Sequence, residues 1–204
     1  MGKKAAYHHG NLRAALLEAA LTLLEREGLP GLTLRKVAAL AGVSHAAPAH
    51  HFPNLQALST ALAAIAFDRF TAAMAKARAR AKPEIAAQVR AAGRGYLAFA
   101  RANPALFRLM FSEGDLDWEN AELKQAAAAA FQQLQAISAP FADHLGLKTE
   151  ADRRELERLI WSSAHGFAHL AIDGKMADAN GPPDVARFLL EIGGIKRSRN
   201  PRGA

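Results

Sequence analysis

Leu32-Thr-Leu-Arg-Lys-Val-Ala-Ala-Leu-Ala-Gly-Val-Ser44, continued by His45-Ala-Ala-Pro-Ala-His-His51, carries its own start and stop signals. Thr33 has the short oxygen-bearing side chain that caps a helix N-terminus. Leu34, Val37, Ala38 and Ala41 then recur with helical spacing and form one apolar face. Gly42 can take the left-handed conformation that ends a helix. Val43 can pack inward, and Ser44 can cap the next helix. The spacing predicts a short helix, a three-residue turn and a second short helix over about residues 34–51, which is a helix-turn-helix.

On the N-terminal side, Leu12, Leu16, Ala19 and Leu23 predict a helix over residues 10–28, stopped by Gly28 and the Leu29-Pro30-Gly31 turn. On the C-terminal side, Asn54 is placed to cap a long helix reaching about Ala81. Pro83 opens another, to about Ala102, and Asn103-Pro104 starts a short one over 104–111. An acidic loop, 112–118, leads to a helix over about 119–144 with Pro140 inside it. Residues 150–174 form a further long amphipathic helix, then come a loop over 175–182 and a last helix from Pro183 to about Gly193. The expected fold is all-α with about nine helices: a three-helix head over residues 1–53, a helical-bundle body for ligand binding and dimerisation over 54–194, and a basic disordered tail over 195–204.

Composition fits this outline. Half of the 204 residues are hydrophobic and 22% are charged, as in a soluble globular chain. There is no cysteine, which excludes disulfides and thiol chemistry. The excess of seven positive charges equals the cations near the two ends: Lys3, Lys4 and Arg13, then Lys196, Arg197, Arg199 and Arg202. Basic ends on a neutral body suit a polyanion. The basic start is not followed by an apolar run, so no secretory signal is read there. No stretch approaches about 18 consecutive apolar residues, so no membrane partner is expected and the cytoplasm is the expected location.

A helix-turn-helix places its second helix in the major groove while the first crosses the phosphate backbone. Thr33, Arg35 and Lys36, at the positive end of the first helix, are expected to serve phosphate. Ser44, His45, Ala46, Ala47, His50 and His51 lie on the second, where short alanines suit thymine methyl groups and histidine suits base edges. Lys3 and Lys4 would form a basic arm.

The segment Leu32–Ser44, then His50-His-Phe-Pro-Asn54 and Leu58, resembles the DNA-binding region of TetR-type (tetracycline-repressor-like) regulators. Tyr7-His-His-Gly-Asn-Leu-Arg13 resembles the first-helix start in one branch of that family. More loosely, Tyr96–Phe111 and Trp161-Ser-Ser-Ala-His-Gly166 resemble one type of effector domain. The resemblance implies a homodimer that binds a double-stranded DNA operator, acts as a repressor, and leaves DNA on binding a small molecule. Three positions depart from the family pattern. Ala49 stands where Tyr is usual, Leu55 where Lys is frequent, and Pro48 lies inside the recognition helix. If Ser44 is the cap, Pro48 falls where the first intrahelical donor is needed.

The body offers two further sets of candidates. Phe70, Met74, Phe99, Phe107, Met110, Phe111, Trp161 and His165 are expected to line a pocket for a mostly apolar effector, with His165 as its polar contact. Leu156, Leu159, Ser163, Gly166 and Leu170 on one helix, with Val185, Phe188, Leu189 and Ile192 on the last, are expected to form the dimer interface.

Rival readings have less support. His8, His9, His45, His50 and His51 cluster in sequence, but adjacent histidines diverge on a helix and no cysteine joins them, so no metal site is expected. His165 and His169 have zinc-binding spacing, yet Gly166 stands where a metalloprotease places its glutamate. No Glu-x-x-His pair, phosphate loop or nucleophile elbow supports an all-helical enzyme, so no catalytic residue or cofactor is expected. A helical interaction adaptor with weakened DNA binding is the alternative that the three departures favour.

Overall fold

The computed structural model describes residues 12–112, 114, 116–176 and 184. Among the described residues there are seven α-helices, one 3-10 turn and no strand. In chain order they are α1 (Leu12–Gly31), α2 (Leu34–Leu40), the 3-10 turn Ala47–His50, α3 (Leu55–Ala79), α4 (Ile85–Ala102), α5 (Pro104–Met110), α6 (Ala121–Leu145) and α7 (Glu150–Ile172). The arm with Lys3 and Lys4, the last expected helix apart from Asp184, and the basic tail lie outside the described residues.

The caps are where local chemistry places them. The Thr33 hydroxyl accepts from the Lys36 amide at 3.2 Å. The Asn54 carboxamide oxygen accepts from Ala57 at 2.8 Å, and Thr149 caps α7 by accepting from Asp152 at 3.1 Å. α1 breaks at Gly28, as expected. α2 ends in a Schellman motif: Val43 donates to the Ala38 carbonyl at 3.0 Å and Gly42 to Ala39 at 3.2 Å. Gly42 has φ +70°, which a side chain would make costly.

The second helix of the helix-turn-helix departs from expectation. Only Ala47–His50 is helical, and as a 3-10 turn whose cap is Ala46, with no side-chain bond from Ser44. An α-helix here would need the Pro48 amide to donate to the Ser44 carbonyl, and proline has no such hydrogen. Ala47 takes that carbonyl instead, at 3.0 Å. Pro48 thereby falls in the first turn of the 3-10 helix, where no donor is needed, and its ring is fully buried.

The chain forms two compact units: Met1–Ala66 with Asn103–Ala126, and Phe67–Ala102 with Ala127–Ala204. The divisions fall within α3, between α4 and α5, and within α6. The first unit holds the helix-turn-helix and extends beyond residue 53; α1 packs on both α2 and α5. Its fully buried side chains include Leu16, Leu24, Val37, Leu58, Phe107 and Leu109. In the second, α4 packs on α7, and Val89, Ile137, Phe141 and Leu156 form a core. α3 is long and apolar enough, by length and composition alone, to cross a membrane, although Gln56, Ser59, Thr60, Asp68 and Arg69 interrupt its apolar run. However, 61% of that apolar stretch is buried inside the protein, and a core helix has the same composition.

Gly95 fixes the approach of α4 to α3. A β-carbon there would stand 2.8 Å from the Ala73 carbonyl oxygen and 2.9 Å from the Met74 α-carbon. Both are backbone atoms of α3, so neither can turn aside. Gly95→Ala gains about 1 kcal/mol of helix propensity but forces the helices apart, which typically costs about 1–3 kcal/mol. The substitution should therefore lower the denaturation midpoint in urea; a raised midpoint would show that α4 accommodates the methyl group freely.

Candidate nucleic-acid interface and ligand site

α2 and the 3-10 turn present the candidate DNA-contacting residues at the surface. Thr33, Arg35, Lys36, Ser44, His45, Ala46, His50 and His51 are exposed, while Ala47 is half-buried. The Thr33 hydroxyl is engaged as the cap of α2. Lys36 Nζ lies 2.6 Å from Glu27 Oε2 in an exposed ion pair. Pro48 and Phe52 anchor the turn from beneath: the His51 and Phe52 amides donate to the Pro48 carbonyl at 2.9 and 2.8 Å, and Phe52 is buried. The Arg13 guanidinium lies 5.8 Å from the Phe52 ring centre and pairs with Glu122 at 2.9 Å.

The sequence reading missed one feature of this surface. No Lys, Arg, Asp or Glu stands between Lys36 and Asp68. Within the turn and its flanks, His45, His50 and His51 are the only side chains that can carry charge. The gap is visible in the sequence; its meaning appears once these three rings are found exposed.

In the second unit, the structure brings together part of the expected effector-lining set. Tyr96 Oη and His165 Nδ1 share a 2.7 Å hydrogen bond between α4 and α7. Phe70 of α3 meets Tyr96 edge-on with ring centres 4.7 Å apart, and Phe99 meets Phe70 at 5.5 Å. Trp161 and His169 flank His165 along α7, at 6.2 and 4.6 Å. Met74 and Phe99 are buried, whereas Trp161 is 46% exposed. The Thr71 hydroxyl on α3 is buried without a hydrogen-bond partner.

Burial first, then the neighbouring His169, lowers the His165 pKa to about 4, so this imidazole is neutral near pH 7. Burial also pushes the Tyr96 hydroxyl above its ordinary value. Phe107, Met110 and Phe111 fall in the other unit, where Phe107 packs against Phe111 at 5.2 Å. Tyr96 was not among the expected lining residues. Its helical spacing with Phe99 is visible in the sequence, but its partner lies 69 residues away.

The expected dimer residues on α7 divide between two faces. Leu159 and Leu170 are exposed, 45% and 38%, and a β-carbon on Gly166 would meet nothing within 4 Å. Ser163 is half-buried. Leu156 faces the other way, packed at 4% exposure in the core with Val89 and Phe141, and so belongs to the protomer's own interior. Val185, Phe188, Leu189 and Ile192 lie outside the described residues.

Comparison with known proteins matches both regions. Residues 16–62 match the bacterial regulatory proteins of the tetR family, and residues 89–192 match the tetracyclin repressor-like C-terminal domain. No curated protein matches the chain. Among solved structures, a protein of unknown function from Rhodococcus sp. RHA1 is 35% identical, with 90% of this chain and 93% of that one covered and a TM-score of 0.71. PfmR, a TetR family transcriptional regulator from Thermus thermophilus, is 20% identical over 76% of this chain and 84% of its own, with a TM-score of 0.57. FadR from Bacillus subtilis, a transcriptional regulator solved with stearoyl-CoA, is 14% identical over 91% and 98%, with a TM-score of 0.59. The last two share the fold. With both regions matched, the chain belongs to the TetR family of DNA-binding transcriptional regulators and carries that family's helix-turn-helix and ligand-binding C-terminal domain.

Proposed function

We propose that this regulator is a cytoplasmic homodimeric repressor, held on a double-stranded operator by residues 1–53 and released when residues 54–194 bind a small, mostly apolar molecule. It acts by binding and not by catalysis, as members of its family generally do. The observation that carries the DNA half is the exposure of Arg35 and Lys36 on α2 and of His45, His50 and His51 at a turn anchored by buried Pro48 and Phe52. Glu27 holds Lys36 in the free protein, but an exposed pair is worth only about 0–1 kcal/mol, and phosphate can displace it with release of counterions.

The Tyr96–His165 pair supports an effector site in the second unit. It offers polar atoms among Phe70, Phe99 and Trp161, the mixture typical of a ligand pocket. FadR, of the same fold, binds stearoyl-CoA, which supports ligand control without naming the ligand here. The exposed α7 face of Leu159, Gly166 and Leu170 suits a second copy, as two half-sites about one helical turn apart require.

Selection of bound genomic fragments by the purified protein tests operator binding directly; recovery of no enriched sequence would favour the adaptor alternative. On the recovered operator, Lys36→Ala should weaken all sequences alike and reduce the salt slope by about one. Leu170→Asp should move the protein toward monomer in sedimentation, with its helix content unchanged; an unaltered dimer would exclude this face. In a Trp118→Phe background, Trp161 fluorescence should respond to an effector, and Tyr96→Phe should weaken that response while leaving operator binding intact.

His165 also predicts a pH dependence of stability. Its folded pKa, about 4, lies below the unfolded value of about 6.5. Between these values the unfolded chain binds the extra proton, so stability falls as pH drops from about 6.5 to about 4. Allowing for partial exposure, the contribution is roughly 1–2 kcal/mol. His165→Gln should flatten the thermal midpoint across this range, and an unchanged slope would assign the loss to other groups.

A further inference from the structure

We infer that His45, His50 and His51 are the charge-supplying contacts of the recognition turn, so that binding to DNA phosphate takes up protons and weakens as pH rises. The inference rests on the proposed reading that this turn faces DNA. Three observations carry it. The three rings are exposed on one short turn. No fixed charge of either sign occurs between Lys36 and Asp68, so the turn has neither a permanent cation for phosphate nor an acid to hold a proton in advance. Ala49 and Leu55 supply no hydrogen-bonding or cationic side chain at the flanking positions.

The charged groups of the neighbouring elements do not replace them. α2, which packs on the turn, brings Arg35 and Lys36, and Lys36 is paired with Glu27 of α1. Arg13 of α1 lies over Phe52 and pairs with Glu122. Fixed cations therefore stand at α2 and beneath the turn, while the turn itself and its flanks bring only the three histidines. Histidine is the side chain whose charge changes between about pH 5 and 8.

A phosphate beside an imidazole favours its protonated form. The complex then holds more protons than the free protein, and affinity must fall as pH rises through that range. Each unit by which phosphate favours the protonated ring strengthens binding about tenfold at the acid end. Each recruited charge also steepens the salt dependence by about one phosphate's worth of counterion release. The pairing of Pro48 with histidines becomes intelligible on this basis. A four-residue 3-10 turn spans only about 8 Å, too little to read many base edges, so much of its affinity must come from the backbone.

The test uses the full chain and a labelled mixed-sequence DNA duplex at low salt, with anisotropy followed from about pH 6 to pH 8. The parent should bind about tenfold or more tightly at the acid end, with a steeper salt slope there. The triple variant His45→Gln, His50→Gln, His51→Gln should bind at the parent's pH 8 level throughout. The triple variant His45→Arg, His50→Arg, His51→Arg should hold the parent's acid-end affinity up to pH 8. Circular dichroism should match the parent in both variants, since all three positions are exposed. A pH-independent parent would overturn the inference. So would a triple variant that keeps the parent's slope, which would move the proton uptake to another group such as His8 or His9. Failure to bind the duplex at any pH would overturn the DNA-facing reading itself, and the inference with it.

Discussion

Pro48 has no amide hydrogen, and the shape of the recognition segment follows from that lack. The Ser44 carbonyl is bonded by Ala47, the backbone tightens into a 3-10 turn in which Ala49 donates to Ala46, and the His51 and Phe52 amides converge on the Pro48 carbonyl. The tightened turn directs the Pro48 ring and Phe52 inward and leaves His45, His50 and His51 outside. Poorer 3-10 hydrogen-bond geometry is offset by this burial, which for a side chain like Phe52 contributes about 1.5–3 kcal/mol. An ordinary helix at this position would carry its exposed residues along a face more than one turn long. Here the helical segment is only four residues long.

Anchoring and charge are thus separated in the first unit. Pro48, Phe52, Val37 and Leu58 are buried apolar side chains, and their burial does not depend on ionic strength or pH. The ion pairs Arg13–Glu122 and Lys36–Glu27 are exposed and add little to stability. A polyanion can therefore exchange partners with these cations at small cost to the fold.

Features set within one or two helical turns were legible in the sequence. Thr33 and Asn54 cap their helices because a cap needs only its own residue and an amide three positions on. Gly42 closes α2 for an equally local reason. The effect of Pro48 was half legible: its place in the sequence predicts a late or distorted start of the recognition helix, but not that the ring would be buried. Leu156 shows where periodicity fails. At 3.6 residues per turn it stands about 80° round α7 from Gly166, and a stripe that wide spans both an inward and an outward face. Only the position of Val89 and Phe141 decides which face Leu156 joins. Tyr96–His165 was illegible for a stronger reason, since the bond joins two helices distant in the chain and neither side chain announces its partner.

That pair also bears on why the second unit keeps polar groups at all. A hydrogen bond contributes about 1 kcal/mol net, and apolar residues of similar shape would pack against Phe70 and Phe99 at least as well. His165 gives up stability below neutral pH, because its folded form resists the proton that the unfolded chain accepts. The buried, unpartnered Thr71 hydroxyl on the neighbouring α3 carries a desolvation penalty of about 1–3 kcal/mol. Neither feature is what packing alone would select. Polar atoms retained among aromatic rings are instead what a ligand-binding domain needs, because an apolar cavity binds by size and a polar contact fixes which molecule is accepted and in what orientation. On the proposed reading of this pair as part of an effector site, part of the stability of the second unit is exchanged for recognition, and the Tyr96–His165 bond would keep that recognition at a fixed place between α4 and α7.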